Sequence, residues 1–159
     1  MTIDEKTSLE REEKRVLIVD DDDAIRALLF TVLRRRGFDV DTARNGVDAL
    51  QRCDACRYSL ILLDLMMPRM SGWEFLENLD RRAAEQKPMV IVLTAGLEPT
   101  DVSPHTVVGT VRKPFDVTML VKMVDACLHT VSPIRQVASC PLSESRLLKS
   151  IPRRVPESG

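Results

Sequence analysis

Five polar side chains stand at the ends of short apolar runs of the sequence, and together they could carry phosphoryl chemistry. They are Asp20, Asp21, Asp64, Thr94 and Lys113. In open parallel sheets, ligands bind beyond the carboxyl ends of the strands. If each apolar run is a strand of one such sheet, then three carboxylates, a hydroxyl and an ammonium group converge on one edge.

Three clustered carboxylates repel one another, by roughly 4 kcal/mol per pair at about 4 Å and an effective dielectric of about 20. Protons or a cation must offset that repulsion. Oxygen ligands with open positions suit Mg²⁺, which keeps several waters and accepts phosphate oxygens. A carboxylate beside Mg²⁺ can act as a nucleophile toward a phosphoryl group, while Lys113 and Thr94 hold its oxygens. The sequence has no G-x-x-x-x-G-K-[ST] loop, which excludes a P-loop nucleotide site.

The elements that must position these residues begin with five short runs rich in aliphatic and β-branched side chains. These runs predict strands over residues 16–19, 38–42, 58–63, 89–93 and 107–111. The first, third and fourth runs are apolar on both faces, which is expected where helices cover both sides of a parallel sheet. The second run alternates apolar and polar residues, so we expect it nearer an edge.

Between these runs, apolar residues recur at helical spacing. They predict helices over residues 25–33, 47–53, 75–79 and 120–128. We expect Asp22 and Asp23 to start the first helix, Gly37 to end it and Asp116 to cap the last one. The alternating order predicts an α/β fold with right-handed crossovers.

Length and composition limit the domain organisation and the function classes. A chain of 159 residues suffices for one domain and is too short for two well-packed ones. We expect a flexible charged leader (1–14), one domain (15–129) and a disordered tail containing Ser, Pro and Arg (130–159). A net charge of −1 argues against a basic nucleic-acid surface. The sequence has neither a run of about 18 apolar residues nor a secretory signal, so we expect a cytoplasmic protein.

Cys53 and Cys56 have the C-x-x-C spacing that can bind zinc or carry out redox chemistry. No second pair stands at metal-finger spacing, so we favour a helix with Cys53 on its apolar face. For a cytosolic protein, we expect all four cysteines to be free thiols.

Four motifs of the chain resemble those of the CheY-like receiver domains of two-component response regulators. They are VLIVDDD (16–22), LLDLMMP (62–68) with Ser71-Gly72 after it, VLTA (92–95) and KPF (113–115). Each lies at a predicted strand end, and the resemblance covers residues 15–129. It implies a flavodoxin-like (βα)5 fold, doubly wound around a five-stranded parallel sheet of strand order 2-1-3-4-5. Here Pro99 and Pro104 predict a reduced fourth helix.

Carried over position by position, the resemblance implies that Asp64 accepts the phosphoryl group. It also implies that Thr94 is the switch hydroxyl and that Lys113 contacts the phosphoryl group. Pro114 resembles the family proline that often follows a cis peptide bond. The donor would be a sensor histidine kinase or a histidine phosphotransfer protein, and the signal would leave by contact with an unknown downstream protein.

The resemblance further implies an Mg²⁺ site. Asp21, Asp64 and the backbone carbonyl of Met66 would bind the metal directly, and Asp20 would assist through water. In receivers, the side chains two residues past the phosphoacceptor and two past the switch threonine lie near the path of attacking water. Here these are Met66 and Gly96, neither of which can orient water, so we expect slow self-dephosphorylation.

The chain departs from the family pattern in three places. Thr110 stands where the family usually has an aromatic residue that moves with the switch threonine. The segment from Thr94 to Lys113 is shorter than usual. Residues 130–159 are too few for a winged helix or another DNA-binding module.

We therefore expect a stand-alone receiver that works as a phosphorylatable switch, not as an enzyme, and that contacts neither nucleic acid nor membrane directly. A phosphorelay intermediate and a degenerate receiver that acts as a scaffold are the alternatives. A phosphatase of the haloacid-dehalogenase class is disfavoured, because that class needs a second acid where Met66 stands.

Overall fold

The computed structural model describes residues 14–83, 87–96 and 106–129, and within them strands alternate with helices. The strands are β1 (Arg15–Val19), β2 (Asp39–Ala43), β3 (Leu60–Asp64), β4 (Met89–Thr94) and β5 (Val107–Arg112). The helices are α1 (Asp23–Arg35), α2 (Gly46–Ala55), α3 (Gly72–Asp80) and α4 (Val117–His129). Every strand and helix that the apolar patterns predict in these ranges is present, with small shifts at the ends.

The five strands are all parallel and lie in the order β2-β1-β3-β4-β5, which confirms the predicted doubly wound sheet. β1 and β3 are buried along their whole length, because each has strands on both sides and helices on both faces. β2 lies at an edge, as its alternating pattern predicts. The register pairs Val19 with Leu63 and Asp64 with Leu93, so the carboxyl ends of these strands meet at one edge.

Two hydrophobic clusters fill the spaces on either side of the sheet. Leu17 packs with Phe75 of α3 on one face, and Ile18 packs with Leu29 of α1 on the other. Successive strand residues point to opposite faces, so one strand contributes to both clusters. Burying an aliphatic side chain of this size stabilises the fold by about 1.5–3 kcal/mol. The strands are thereby held between two packed layers, and their polar ends have fixed positions.

Polar caps start the helices next to the carboxyl edge of the sheet. Asp22 accepts two backbone N–H groups of the first turn of α1, and Asp116 accepts the N–H of Thr118 at 2.7 Å at the start of α4. Both predicted helix starts are confirmed. Asp22 is therefore the N-cap of α1. Gly37, with a φ of 90°, follows the end of α1, as predicted.

Three predictions fall on residues outside the described ranges: nearly all of the charged leader, the reduced fourth helix between β4 and β5, and the tail. Among the helices of the described ranges, none has the length and apolar character needed to cross a membrane.

Candidate functional site

Three carboxylates meet at the carboxyl edge of the sheet. Oxygens of Asp20, Asp21 and Asp64 all lie within 4.8 Å of one another. Asp20 is fully buried and Asp64 is 5% exposed, whereas Asp21 is exposed to solvent. The cluster therefore consists of two buried acids and one acid that faces solvent.

Lys113 reaches into this cluster from the end of β5. Its Nζ lies 3.0 Å from Oδ2 of Asp20 and 3.4 Å from Oδ2 of Asp64. Burial acts to lower the pKa of Lys113, but the hydrogen bond to Asp20 and the charges of both carboxylates outweigh it and raise the pKa. The side chain stays protonated at neutral pH and offsets one of the three negative charges.

Thr94 ends β4 beside this cluster, and its side chain is almost wholly buried. Its hydroxyl oxygen accepts the N–H of Gly96 at 3.2 Å, and its backbone carbonyl accepts the N–H of Lys113 at 2.7 Å. The peptide bond between Lys113 and Pro114 is cis, as the resemblance implied. One main-chain hydrogen bond thus joins the two residues that carry the hydroxyl and the ammonium group.

The surroundings of Asp64 only partly compensate its negative charge, and the pKa of the carboxyl group is raised as a result. Burial, the charge of Asp20 and a hydrogen bond with Asp21 raise the pKa of Asp64 to about 6, against the opposing effects of the Met66 amide and Lys113. The Met66 amide donates to Oδ1 of Asp64 at 3.1 Å. Hard oxygen donors, an excess of negative charge and one acid exposed to solvent fit a small divalent cation such as Mg²⁺.

Gly72 allows α3 to begin in direct contact with the backbone of Asp64 and Leu65. Its N–H donates to the carbonyl of Leu65 at 3.0 Å. A Cβ at this position would lie 2.6 Å from the carbonyl oxygen of Asp64 and 2.7 Å from the Cα of Leu65. Only a residue without a side chain permits this approach, which explains the glycine of the Ser71-Gly72 motif.

Sequence reasoning missed one residue beside the acids. Arg26 of α1 donates from Nη1 to the backbone carbonyl of Asp20 at 2.8 Å, and its Nη2 is paired with Asp23. The spacing of Asp23 and Arg26, three residues apart on a helix, could have indicated the ion pair. The bond to a backbone carbonyl has no signal in the sequence.

Of the two cysteines in the C-x-x-C pair, Cys53 is a free thiol on α2 and packs against the core, as predicted. Burial raises its pKa to about 12, which makes it a poor nucleophile and metal ligand at neutral pH. Cys56 is disulfide-bonded, so the expectation that all four cysteines are free thiols is wrong for this residue. Pairing depends on which cysteines meet in the fold, and residue spacing does not encode that.

The sheet order and the composition of this edge match a known family. Residues 16–125 match the family of the response regulator receiver domain, and the chain belongs to it. Protein Rrf1 of Nitratidesulfovibrio vulgaris is 36% identical over 118 residues, which are 73% of this chain and 83% of that protein. The transcriptional regulatory protein CpxR homolog of Haemophilus influenzae is 37% identical over 129 residues, which are 79% of this chain and 55% of that protein. The chain thus spans little more than half of the second relative.

Solved receiver structures share the fold. A CheY-like receiver domain protein from Methanospirillum hungatei superimposes with a TM-score of 0.66 at 30% identity, covering 74% of this chain and 95% of that one. Response regulator protein TrrA of Thermotoga maritima, solved in complex with Mg²⁺ and BeF, gives a TM-score of 0.64 at 34% identity. That match covers 72% of this chain and 98% of TrrA.

Proposed function

We propose that this receiver accepts a phosphoryl group on Asp64 from a phosphohistidine donor in a reaction that requires Mg²⁺. The observation that carries the proposal is the position of the Asp64 carboxylate, which lies 3.4 Å from the Lys113 ammonium inside a cluster of three acids. Because Asp64 is buried and Asp21 is exposed, donor and metal would approach the nucleophile from the solvent side.

Asp21, Asp64 and the backbone carbonyl of Met66 would hold the Mg²⁺ directly, and Asp20 would assist through water. The similarity to TrrA, which was solved with Mg²⁺ and BeF, supports this assignment. When bound, the metal supplies positive charge that offsets the negative charge developing on the phosphoryl oxygens.

The chain's own groups carry out the transfer. An ionised oxygen of Asp64 attacks phosphorus and forms an oxygen–phosphorus bond, while the phosphorus–nitrogen bond to the donor imidazole breaks and leaves its electron pair on the imidazole. Lys113 holds one phosphoryl oxygen, and Thr94 donates to another. The main-chain hydrogen bond between Thr94 and Lys113 holds the backbones that carry these two donors next to each other.

The protein acts in this proposal as a stand-alone switch in the cytoplasm and not as an enzyme. Its partners are a sensor histidine kinase or a histidine phosphotransfer protein, and a downstream protein; in a relay the latter would be a second histidine-containing protein. Rrf1, of which the chain covers 83%, supports the stand-alone assignment. Direct contact with nucleic acid forms no part of it, although the CpxR homolog is named as a transcriptional regulator.

Incubation with Mg²⁺ and acetyl phosphate tests the proposed function directly. We expect the wild-type protein to gain one phosphoryl group and Asp64→Asn to gain none, because the amide is not a nucleophile toward phosphorus. Intact-mass spectrometry measures both. Asp125→Asn on α4 is the matched control and should label like the wild type. Equal labelling of Asp64→Asn and the wild type would refute the assignment of the phosphoacceptor.

Asp21→Ala is expected to weaken Mg²⁺ binding by about tenfold or more, because it removes a direct oxygen ligand from the site. Isothermal titration calorimetry in phosphate-free buffer gives the affinity. Asp48→Asn, which alters a carboxylate on α2, should bind like the wild type. An unchanged affinity in Asp21→Ala would mean that the metal is held elsewhere.

Slow self-dephosphorylation is a further expected property. Met66, two residues past Asp64, is 63% exposed, and its side chain cannot accept a proton or orient water by hydrogen bonding. Met66→Asn should therefore speed hydrolysis of the phosphoprotein by about tenfold or more. Met66→Leu keeps an apolar side chain and should keep the wild-type rate. The decay of the phosphorylated mass after removal of acetyl phosphate measures the rate. A wild-type half-life of seconds would contradict the expectation.

A further inference from the structure

We infer that Arg26 is a positioning residue of the metal site: its guanidinium fixes the peptide bond between Asp20 and Asp21 and thereby the direction of the Asp21 carboxylate. The inference rests on the proposed function, since it concerns Mg²⁺ binding at the same acidic cluster. Arg26 belongs to none of the four motifs.

The first observation is that Asp20 is held at every polar atom. Its backbone N–H donates to the carbonyl of Ala43 at 3.2 Å. Its two carboxylate oxygens accept the Asp22 N–H at 2.9 Å and the Lys113 ammonium at 3.0 Å. The remaining atom is the backbone carbonyl oxygen, and this accepts Nη1 of Arg26 at 2.8 Å.

That carbonyl belongs to the peptide plane that joins Asp20 to Asp21. Rotation of this plane would redirect the Cα–Cβ bond of Asp21 and move its carboxylate relative to Asp64. Asp21 is exposed, so packing does little to hold its side chain. The hydrogen bond from Arg26 therefore holds the main chain at the one acid of the cluster that burial leaves unconstrained.

The second observation is that Arg26 is itself fixed. Its side chain is 12% exposed, and Nη2 is paired with Asp23, so the planar guanidinium bridges Asp23 and the Asp20 carbonyl. The backbone N–H of Arg26 donates to the carbonyl of Asp22 at 3.0 Å in the first turn of α1. Arginine can bind two partners through two nitrogens of one rigid, planar group, whereas lysine has a single nitrogen.

The sign of the effect on Mg²⁺ affinity separates positioning from simple electrostatics. A positive charge next to a cation site repels the cation, so on charge alone the loss of Arg26 would tighten Mg²⁺ binding. If Arg26 positions Asp21, its loss weakens Mg²⁺ binding. Removal of groups that orient metal ligands commonly costs about tenfold or more in metal affinity.

The test compares Mg²⁺ dissociation constants by isothermal titration calorimetry for the wild type, Arg26→Ala, Arg26→Lys and Arg35→Ala. Arg35 is an exposed arginine on the same helix, and its variant controls for the loss of charge. We expect a dissociation constant about tenfold higher in Arg26→Ala. We expect a smaller increase in Arg26→Lys, which keeps one donor, and the wild-type value in Arg35→Ala. Urea unfolding in EDTA verifies that each variant is folded.

An unchanged or tighter Mg²⁺ affinity in folded Arg26→Ala would overturn the inference. If Arg26→Ala does not fold, Arg26→Lys decides: weaker binding than in the wild type supports positioning, and wild-type or tighter binding overturns it. Absence of Mg²⁺ binding by the wild type would contradict the proposed function itself, and the two failures are therefore distinguishable.

Discussion

Asp64→Asn is expected to make the metal-free protein more stable at pH 7, although it removes the proposed phosphoacceptor. Asp64 titrates in the folded protein at a pKa of about 6, above its ordinary value of 3.8. A carboxyl whose pKa is raised by folding destabilises the folded state once both pKa values are exceeded. At 1.36 kcal/mol per pH unit, the charge costs up to about 3 kcal/mol, and we expect the variant to recover about 1–3 kcal/mol.

The pH dependence has a definite sign. Between about pH 4 and pH 6 the folded protein binds more protons at Asp64 than the unfolded chain does, so the destabilisation grows as pH rises through this window. The advantage of Asp64→Asn should therefore be largest at pH 7 and should shrink toward pH 4. Urea unfolding in EDTA at several pH values measures it. Added Mg²⁺ should stabilise the wild type much more than the variant. Equal stability of the two proteins at pH 7 without metal would contradict this account.

Gly72→Ala is expected to destabilise the protein by about 3 kcal/mol, because the new Cβ would overlap main-chain atoms that cannot move independently. The overlap is with the carbonyl oxygen of Asp64, at 2.6 Å, and the Cα of Leu65, at 2.7 Å. Gly72 has no positive φ, so backbone strain at the alanine itself adds nothing to the cost. Relief of the overlap requires the end of β3 to shift, and phosphorylation at Asp64 should slow as well.

Gly109→Ala is the matched control for this substitution. Its Cβ would approach only the terminal methyl carbon of Met123, at 3.0 Å, and that side chain can rotate away. Alanine within a strand also loses less conformational freedom on folding than glycine, so this variant should be neutral or slightly stabilised. Thermal unfolding of both variants measures the difference. Wild-type stability in Gly72→Ala would show that α3 can move away from β3 without cost.

The apolar runs were sufficient to predict the sheet because its central strands are buried on both faces. Periodicity alone cannot tell a continuous apolar run such as β3 from a buried helix segment, but a length of five residues favours a strand. The rule that ligands bind at the carboxyl ends of parallel strands then predicts that Asp20, Asp64 and Lys113 lie close together. In the structure the Lys113 ammonium lies 3.0 Å from the Asp20 carboxylate and 3.4 Å from the Asp64 carboxylate.

Features that depend on main-chain atoms could not be predicted. The bond from Arg26 to the Asp20 carbonyl and the closeness of Gly72 to Asp64 involve backbone groups that every residue has, so no residue type marks them. Arg15 is a different case: the apolar run predicted a first strand from residue 16, yet the Arg15 side chain is fully buried at the start of β1, 3.5 Å from Asp39. The role of Thr110, which is exposed on β5 in place of the usual aromatic residue, stays a prediction about switching.

The acidic edge lies away from the outward faces of the covering helices, and this has a consequence for which substitutions the site tolerates. The reacting groups sit on the ends of strands that both hydrophobic layers hold in place, whereas exposed apolar side chains such as Leu28 and Met119 lie on the outer helices. Substitutions at such outward positions should leave the distances among Asp20, Asp64 and Lys113 unchanged, because these side chains do not pack in either cluster. The outer face of the helices can therefore vary in sequence while the arrangement of the acidic cluster stays the same.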